Sequence, residues 1–281
     1  MTPSAPQRHA SVADLVAARA GRGQHRPLLT CYDEVTGART ELSYATLDNW
    51  AAKTANLLTE EFDIELGDTV ELDLTGHWTT VALLLACWKL GAAAGSGAAF
   101  HDVVLTCCHE AQLEHHSHGR LLVIGDGLAA EPTVPVTARD HLVVLADEVN
   151  AFADDYDSSA VTAETPAVHG PDARLDHAAL LARGERWRAR VGKNARVALA
   201  LPLDHPVAAE ILVAVLLGGG SLLASRGDRH VPRWDRLTVE RVNALIGPQA
   251  ALDEAGPPPD GISALPIDAG AAGAGSGQDG R

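Results

Sequence analysis

The chain has 281 residues, of which 46% are hydrophobic and only 4% aromatic, and its formal charge at pH 7 is −15. A chain of this length can bury one large core or two smaller ones, here built mainly from Ala, Val and Leu. Nucleic acids and anionic membrane surfaces are bound through clustered Lys and Arg. The acidic balance, with only three lysines in the chain, therefore argues against either partner.

Nothing in the sequence is typical of export or membrane insertion. The N-terminus has no long apolar core behind positive charge, so it does not resemble a secretory signal. The longest apolar run, residues 81–88, is far shorter than the roughly 20 residues that cross a bilayer. The cysteines are typical of reduced thiols and not of a disulfide framework: Cys31, Cys87, Cys107 and Cys108. We expect a cytoplasmic protein in which residues 81–88 form a buried helix.

Two stretches of the chain align without a gap. DTVELDLTGHWTTVALLLACWKLGAAA (68–94) matches ARVALALPLDHPVAAEILVAVLLGGGS (195–221), so that Val70 falls on Val197 and Leu90 on Leu217. Each copy has the alternating apolar residues of a buried strand, then polar turn residues, an apolar helix and glycine. The match extends backward through the preceding helix, so we predict that residues 42–94 superimpose on residues 175–221 about a pseudo-twofold axis between two sheets.

The remaining elements follow in chain order. Ser11 caps a short helix, and a hairpin with its turn at Gly37 leads to a longer helix that begins after Ser43. Helices at 109–117, 145–152, 176–191 and 234–241 alternate with strands at 103–106, 121–124, 221–224 and 243–246. Such alternation predicts parallel sheets covered on both faces.

The fold class is therefore α/β, with two pseudo-symmetric, mainly parallel β-sheet subdomains flanked by helices. We assign residues 1–157 to the first subdomain and 158–254 to the second. Residues 255–281 are mostly Gly, Ala, Pro and Asp, which bury too little apolar area to offset the entropy of ordering. They are predicted to be a disordered tail.

The chain resembles the large N-terminal domain of the adenylate-forming superfamily of acyl-CoA synthetases, peptide-synthetase adenylation domains and luciferases. The resemblance covers roughly residues 28–248. It is carried by LSYATLDNWAAKTANLL, GDTVELDLTGHWTTVALLLACWKLGAA, RLDHAALL, ARVALALPLDHPVAAEILVAVLLGGGSLL and ERVNALIG. More narrowly, the chain is similar to a small actinobacterial family of short proteins related to these AMP-binding enzymes.

The resemblance also locates the phosphate loop, which in the superfamily ends in Gly-x-Pro-Lys-Gly before a Thr-His-x-x-Leu helix start. The helix start here is DHAAL (176–180), and the segment before it, 162–174, has one Gly, no Lys, and the acidic residues Glu164 and Asp172. Amide nests that hold phosphate need small residues able to adopt positive φ. We predict that the phosphate site is lost and that this segment is irregular and exposed. Its one basic residue, Arg174, comes too late to replace the lysine.

Other parts that the resemblance implies are missing too. No aromatic-Gly-x-Thr-Glu segment is present for adenine and magnesium, and the ribose-binding Asp and the C-terminal domain with its catalytic Lys would follow residue 255. We therefore interpret the chain as a degenerate, truncated adenylate-forming-like domain, catalytically inactive, that acts as a binding or scaffolding module. The alternative is an ATP/AMP-binding, acyl-CoA synthetase-like acid–thiol ligase with a non-standard phosphate site or completed by another chain. No catalytic, cofactor-binding or metal residue and no cofactor is assigned; a small-molecule or acyl ligand, a protein partner and a homo-oligomer stay open.

Two further patterns bear on function. The segment CCHEAQLEHHSH (107–118) carries Zn²⁺-type ligands at helical spacing. Its spacing matches no zinc pattern, so a solvated surface helix is the favoured interpretation and a metal site the open alternative. His77 and His205 follow strand ends, where ligand sites of α/β proteins form. LPLDHP around His205 resembles a substrate-pocket segment of the adenylating enzymes, which leaves a residual acyl or small-molecule pocket as another alternative.

Overall fold

The computed structural model describes residues 9–19, 25–34, 36–74, 76–95, 102–116, 119–127, 129–136, 140–170, 174–227 and 233–267. Its helices are α1 (Val12–Arg19), α2 (Tyr44–Phe62), α3 (Thr79–Leu90), α4 (Leu145–Glu148), α5 (His177–Val191), α6 (Pro206–Gly218), α7 (Trp234–Val239) and α8 (Gln249–Ala255). Short 3₁₀ turns lie at Glu110–His115 and Val149–Ala151. The strands are β1 (Pro27–Asp33), β2 (Arg39–Ser43), β3 (Thr69–Asp73), β4 (Ala93–Gly95), β5 (Val103–His109), β6 (Leu121–Ile124), β7 (Leu142–Val144), β8 (Pro166–His169), β9 (Arg174–Asp176), β10 (Arg196–Leu199), β11 (Ser221–Arg226), β12 (Ala244–Gly247) and β13 (Ser263–Pro266).

The strands form two sheets of corresponding order. Sheet A runs β13-β12-β10-β11-β1-β2, and sheet B runs β7-β6-β5-β3-β4-β8-β9. All neighbours are parallel except in the edge hairpins β1–β2 and β8–β9. Val70 in β3 and Val197 in β10 lie in equivalent strands of the two sheets, as their alignment requires. The predicted α/β class, with two mainly parallel sheets flanked by helices, is confirmed; the superposition of the two units stays a prediction.

Each edge hairpin belongs to the sheet formed mainly by the other half of the chain. The hairpin β1–β2 joins sheet A because β1 pairs with β11, and the hairpin β8–β9 joins sheet B because β8 pairs with β4. An edge strand presents unpaired N–H and C=O groups, and the hairpins cover those of β11 and β4. The boundary at residue 157 stays a prediction for the subdomains, and the hairpins cross it: residues of 1–157 complete sheet A, and residues of 158–254 complete sheet B.

The helices of the two aligned units fill the main core. Every residue of α3 is buried, and so are residues 207–216 of α6; a helix that is apolar on all sides belongs in an interior. The partly polar helices α2 and α5 pack on α3 and α6 respectively. Trp88 of α3 is fully buried and donates its Nε1–H to the carbonyl oxygen of Ala167 in β8 at 3.1 Å, which joins α3 to the exchanged hairpin.

Several boundaries differ from those predicted. The segment predicted as a helix at 109–117 is the end of β5 and a 3₁₀ turn, and the helix at 145–152 is α4 followed by a second 3₁₀ turn. The predicted tail is ordered as far as Ile267, because β13 adds a parallel strand beside β12 and Ile267 is buried. The rest of that tail, 268–281, lies outside the described residues. Within the described ranges no helix is long and apolar enough to span a membrane.

A charged network fixes hairpin β1–β2 to the remainder of sheet A. The carboxylate of Glu240, directly after α7, accepts hydrogen bonds from Tyr32 Oη at 2.5 Å, Arg39 Nε at 2.7 Å and Arg196 Nη2 at 2.5 Å. The Glu240 side chain is only 9% exposed. The hydrogen bond from Arg39 outweighs burial and, with those from Tyr32 and Arg196, lowers the Glu240 pKa to about 2. One carboxylate therefore links β1, β2 and β10.

Candidate functional site

The segment expected to be a phosphate loop folds as the hairpin β8–β9. Residues 167–169 are buried, and β8 lies between β4 and β9 in sheet B. The prediction of an irregular, exposed loop is thus wrong for residues 166–169, because this apolar run completes the sheet edge. His169 is the register partner of Arg174, so only four residues connect the two strands. Asp172 lies outside the described residues.

A cavity of about 420 Å³ lies beside this hairpin. Among the described residues, Arg174 faces it together with four acidic residues, Asp68, Asp102, Glu164 and Asp176. His169 also lines it and accepts or donates a hydrogen bond through Nδ1 with Thr69 Oγ1 at 3.0 Å. Burial, followed by Arg174, lowers the pKa of His169, so its ring is neutral at pH 7. Carboxylates in such number make the cavity electrostatically unsuited to a polyphosphate.

The first two residues of DHAAL (176–180) make hydrogen bonds that stabilise the fold. Asp176 Oδ1 accepts a hydrogen bond from the backbone N–H of Ala179 at 2.7 Å and so caps α5. His177 is fully buried, and its Nδ1 accepts from the backbone N–H of Val12 at 3.1 Å. Burial lowers the His177 pKa to about 4. These two residues anchor α5 and join it to α1.

Charged side chains from both sheets meet where their strands end. We call Asp33, His77, His109, Asp126 and Arg226 the inter-sheet cluster: each lies at or just beyond the carboxyl end of a strand, namely β1, β3, β5, β6 and β11. Arg226 of sheet A forms an ion pair with Asp126 of sheet B and lies 3.8 Å from Asp33 Oδ2. His109 Nε2 is 2.9 Å from Asp126 Oδ1, and the rings of His77 and His109 are 6.0 Å apart. Ligands of open α/β sheets bind at carboxyl ends of this kind, so the cluster is the candidate functional site.

The protonation of His109 follows from its contacts. Its Nδ1 accepts a hydrogen bond from the backbone N–H of Ala111 at 3.2 Å, so Nε2 carries the proton and donates it to Asp126. Burial lowers the His109 pKa, and Arg226 adds to this against the opposing effect of Asp126. Burial raises the Asp126 pKa, but the hydrogen bonds from Arg226 and His109 outweigh it and the net pKa is lowered. The pair is a neutral imidazole beside a carboxylate.

His77 is a second neutral imidazole. Its Nδ1 is 2.8 Å from Thr79 Oγ1, and its ring packs against Trp78 with centroids 5.4 Å apart. Burial, with smaller effects from Arg226 and His109, lowers the His77 pKa to about 4. The neighbouring thiols are not activated, since burial raises the pKa of Cys107 well above its usual value. The cluster can offer hydrogen-bond donors and acceptors but no activated nucleophile.

The His- and Cys-rich segment does not converge on one point. Cys107 and Cys108 are adjacent in β5 and so face opposite sides of sheet B, His115 contacts Gln112, and His116 Nε2 lies 2.9 Å from Asp73 Oδ2. His118 lies outside the described residues.

Two members of this segment, His109 and Glu110, do meet Asp126, and the ligand-type atoms of the three lie within 4.8 Å of one another in the described part of the chain. The Glu110 carboxylate fixes the loop that carries Asp126. It accepts hydrogen bonds from the backbone N–H of Asp126 at 3.0 Å and from the backbone N–H and the hydroxyl of Thr133, both at 2.9 Å. Although burial raises the Glu110 pKa, these hydrogen bonds lower it overall. Asp126 is in turn paired with Arg226. The contacts favour a structural role for the set.

His205, the other histidine singled out from the sequence, caps α6. Its Nδ1 accepts from the backbone N–H of Val207 at 3.1 Å, and burial lowers its pKa. Arg226 and Asp126, which join the two sheets, and Asp33, which neighbours Arg226 in sheet A, were not identified from the sequence. The usable signal was their position, since each lies at or just beyond the end of an apolar strand.

Among the comparisons with known proteins, the solved structures agree on the fold. No family model matches the chain. A segment of 68 residues, 24% of the chain, is 48% identical to a Mycobacterium tuberculosis protein described as a TIGR03089 family protein, of which it covers 28%. The structure resembles an acyl-CoA synthetase from Brucella canis, with a TM-score of 0.72 and 17% identity over 90% of this chain and 50% of that one.

Two structures from Mycobacterium tuberculosis give the same result. A fatty acyl CoA synthetase has a TM-score of 0.68 and 16% identity over 89% of this chain and 52% of that one. The N-terminal domain of FACL13 has a TM-score of 0.67 and 17% identity over 88% of this chain and 65% of that one. The chain thus has the fold of the N-terminal part of acyl-CoA synthetases, which confirms the predicted resemblance at the level of fold. It spans about half the length of the synthetases that it matches.

Proposed function

We propose that the chain is a non-catalytic binding module built on the N-terminal fold of adenylate-forming enzymes. The observation that carries this proposal is the hairpin β8–β9, which lies in the segment that the sequence resemblance assigns to the phosphate loop. The amides of β8 lie between two neighbouring strands of sheet B instead of in an open loop. They are therefore not arranged as a nest around an anion.

The charges beside the hairpin support the same proposal. Phosphoryl and adenylyl transfer depend on cations and donors placed at the developing negative charge, and removing a single such donor costs about 10²–10³ in rate. Here the cavity next to the hairpin places four carboxylates around Arg174. These carboxylates would repel the phosphates of ATP at the place where catalysis needs cations to attract them.

The ligand of the module is proposed to be a small polar molecule or acyl group held at the inter-sheet cluster. Arg226 is flanked by the carboxylates of Asp33 and Asp126, and both His77 and His109 are neutral at pH 7. The site therefore presents donors and acceptors with little excess positive charge. That chemistry suits an uncharged polar group better than a polyphosphate.

Pyrophosphate exchange with a panel of fatty and amino acids tests the absence of catalysis. We expect only background exchange from the chain as it exists. Arg174→Ala and Arg226→Ala remove the two cations nearest the candidate sites, and Arg186→Ala on the exposed side of α5 is the matched control. ATP-dependent exchange that Arg174→Ala or Arg226→Ala abolishes, and Arg186→Ala does not, would contradict the proposal.

A second candidate function is nucleotide binding at a site that another chain completes. The position of Arg226 favours it. This cation lies at the carboxyl ends of the strands, with its side chain only 19% exposed. Thermal unfolding with ATP·Mg²⁺, AMP and acyl-CoA separates the two candidates, because a ligand at about 100 times its Kd stabilises by roughly 2.7 kcal/mol. A rise in Tm with ATP·Mg²⁺ that is lost in Arg226→Gln supports the second candidate, and an unchanged Tm supports the first.

A cytoplasmic location is part of the proposal. Cys31, Cys87, Cys107 and Cys108 are buried thiols that form no disulfide, which is typical of a reducing compartment. Burial raises the pKa of Cys31 and Cys87 to about 12, so these thiols resist oxidation. Fractionation of cells that produce the native chain tests this location.

A further inference from the structure

A second cavity, of about 260 Å³, lies at the opposite edge of sheet A from the inter-sheet cluster. Arg26, Asn194 and Gly220 line it and lie just before β1, β10 and β11, so it opens at the amino ends of three neighbouring parallel strands. Arg19, at the end of α1, and Tyr44, at the start of α2, complete the wall. The cavity is separate from the proposed ligand site.

Two of the side chains that line the cavity have hydrogen-bond donors that the fold does not use. Within the described residues, the exposed guanidinium of Arg26 makes no hydrogen bond or ion pair, and neither does the side-chain amide of Asn194. The described lining residues include no Asp or Glu. Elsewhere in this chain of net charge −15, Arg39, Arg183 and Arg226 are paired with carboxylates.

The backbone brings Arg19 and Asn194 together. Gly219 adopts a φ of 76°, and a Cβ atom at this position would lie 3.1 Å from Asn194 Oδ1 and 3.7 Å from Arg19 Nη1. Both side chains therefore lie over a residue without a side chain; the amide oxygen of Asn194 is an acceptor, and its Nδ2 group is the donor that it can offer. Asn194 itself has a φ of 53° and donates its backbone N–H to the carbonyl oxygen of Gly218 at 2.9 Å, which fixes where its side chain begins. The Tyr44 hydroxyl donates to the carbonyl oxygen of Val16 and holds the far wall.

We propose that this cavity binds a compact oxyanion, the phosphate or carboxylate group of a small molecule. Guanidinium groups match such anions through paired N–H donors, and an amide adds a further donor. The volume is below the roughly 300–1,000 Å³ of pockets for drug-sized ligands, so the occupant is a small anion or one end of a larger molecule. The site extends the proposed function, because it is a second binding site whose occupancy does not depend on the inter-sheet cluster.

Calorimetric titration with inorganic phosphate, sulfate and acetate, at constant ionic strength, tests the proposal. We expect saturable binding to one site by at least one of these ions. Arg26→Gln removes an exposed charge and should weaken binding by about tenfold, the effect of losing one charged hydrogen bond. Asn194→Gly removes the side-chain amide, and glycine readily adopts the positive φ of this position. This variant should also weaken binding of the anion. Arg186→Gln removes one equally exposed charge outside the cavity and should leave the affinity within about twofold.

The pattern of ions and variants decides the result. Binding of phosphate and sulfate without acetate assigns a tetrahedral phosphoryl group, and binding of acetate alone assigns a carboxylate; both support the site. No saturable binding of any ion overturns it. So does an equal loss of affinity in Arg186→Gln and Arg26→Gln, which would show attraction by overall charge. Tm measurements establish that each variant is folded.

Discussion

Replacing Glu240 by Gln should lower the free energy of unfolding by about 2 kcal/mol at pH 7. The carboxylate receives hydrogen bonds from Tyr32, Arg39 and Arg196, and it is the nearer of the two carboxylates beside Arg196, whose side chain is 16% exposed. Glutamine keeps one acceptor for Tyr32 but turns an N–H₂ group toward an arginine. The two guanidinium groups then keep only Glu41, which lies 2.6 Å from Arg39 and 3.9 Å from Arg196.

The magnitude follows from the pKa of the carboxylate. Lowering that pKa from 4.5 to about 2 corresponds to roughly 3 kcal/mol of preference for the ionised, folded form. Arg39 is 39% exposed, and solvent screening of its contribution reduces the expected effect to about 2 kcal/mol. Since the folded-state pKa is the lower one, this stability is present above about pH 4.5 and is lost as the pH falls toward 2.

Urea unfolding followed by tryptophan fluorescence is the assay. The difference between the wild-type chain and Glu240→Gln should be about 2 kcal/mol at pH 7 and should shrink as the pH falls below 4.5. Glu185→Gln, which removes an exposed i,i+3 partner of Arg188 on α5, is the matched control and should cost less than about 0.5 kcal/mol. Equal urea midpoints for Glu240→Gln and wild type at pH 7 would refute this reasoning.

Three further predictions concern stability. Gly184→Ala should cost about 1–3 kcal/mol, because a Cβ at this position would clash with Val213 Cγ1 in α6; an unchanged Tm would contradict this packing. Because burial lowers the His77 pKa from 6.5 to about 4, stability that is complete above pH 6.5 should fall as the pH drops from 6.5 to 4, and His77→Gln should flatten that dependence in urea titrations. Trp88→Phe should cost about 2 kcal/mol through the lost hydrogen bond to Ala167 and the lost ring volume; a loss below about 0.5 kcal/mol would argue against α3 anchoring the hairpin.

The parts of the fold that depend on local patterns could be predicted from the sequence. Residues 79–90 and 206–218 are apolar helices that end at glycine, and Gly91 and Gly219 do adopt the positive φ expected of a helix end. Ser43 caps α2 by accepting from the backbone N–H of Thr46. In each case the decisive contacts lie within a few residues of one another.

The parts that depend on distant pairing could not be predicted in this way. Pairing of β1 with β11 joins residues far apart in the chain. The apolar pattern of residues 27–33 predicts a strand but does not indicate which other strand pairs with it. The same limit explains β13, which is stabilised by pairing with β12 in a composition that otherwise favours disorder. Arg226 and Asp126 were missed as candidate site residues because they meet only when the two sheets come together.

The exchange of the two edge hairpins constrains the order in which a growing polypeptide can fold on the ribosome. Sheet B keeps one strand edge open at β4 until Pro166–His169 has been synthesised, and hairpin β1–β2 has no docking site until β11 has emerged. Open edges and delayed long-range pairing slow folding and expose nascent chains to wrong partners. Cleavage between the halves would separate each hairpin from the sheet it completes and leave an unpaired edge at β11 and at β4.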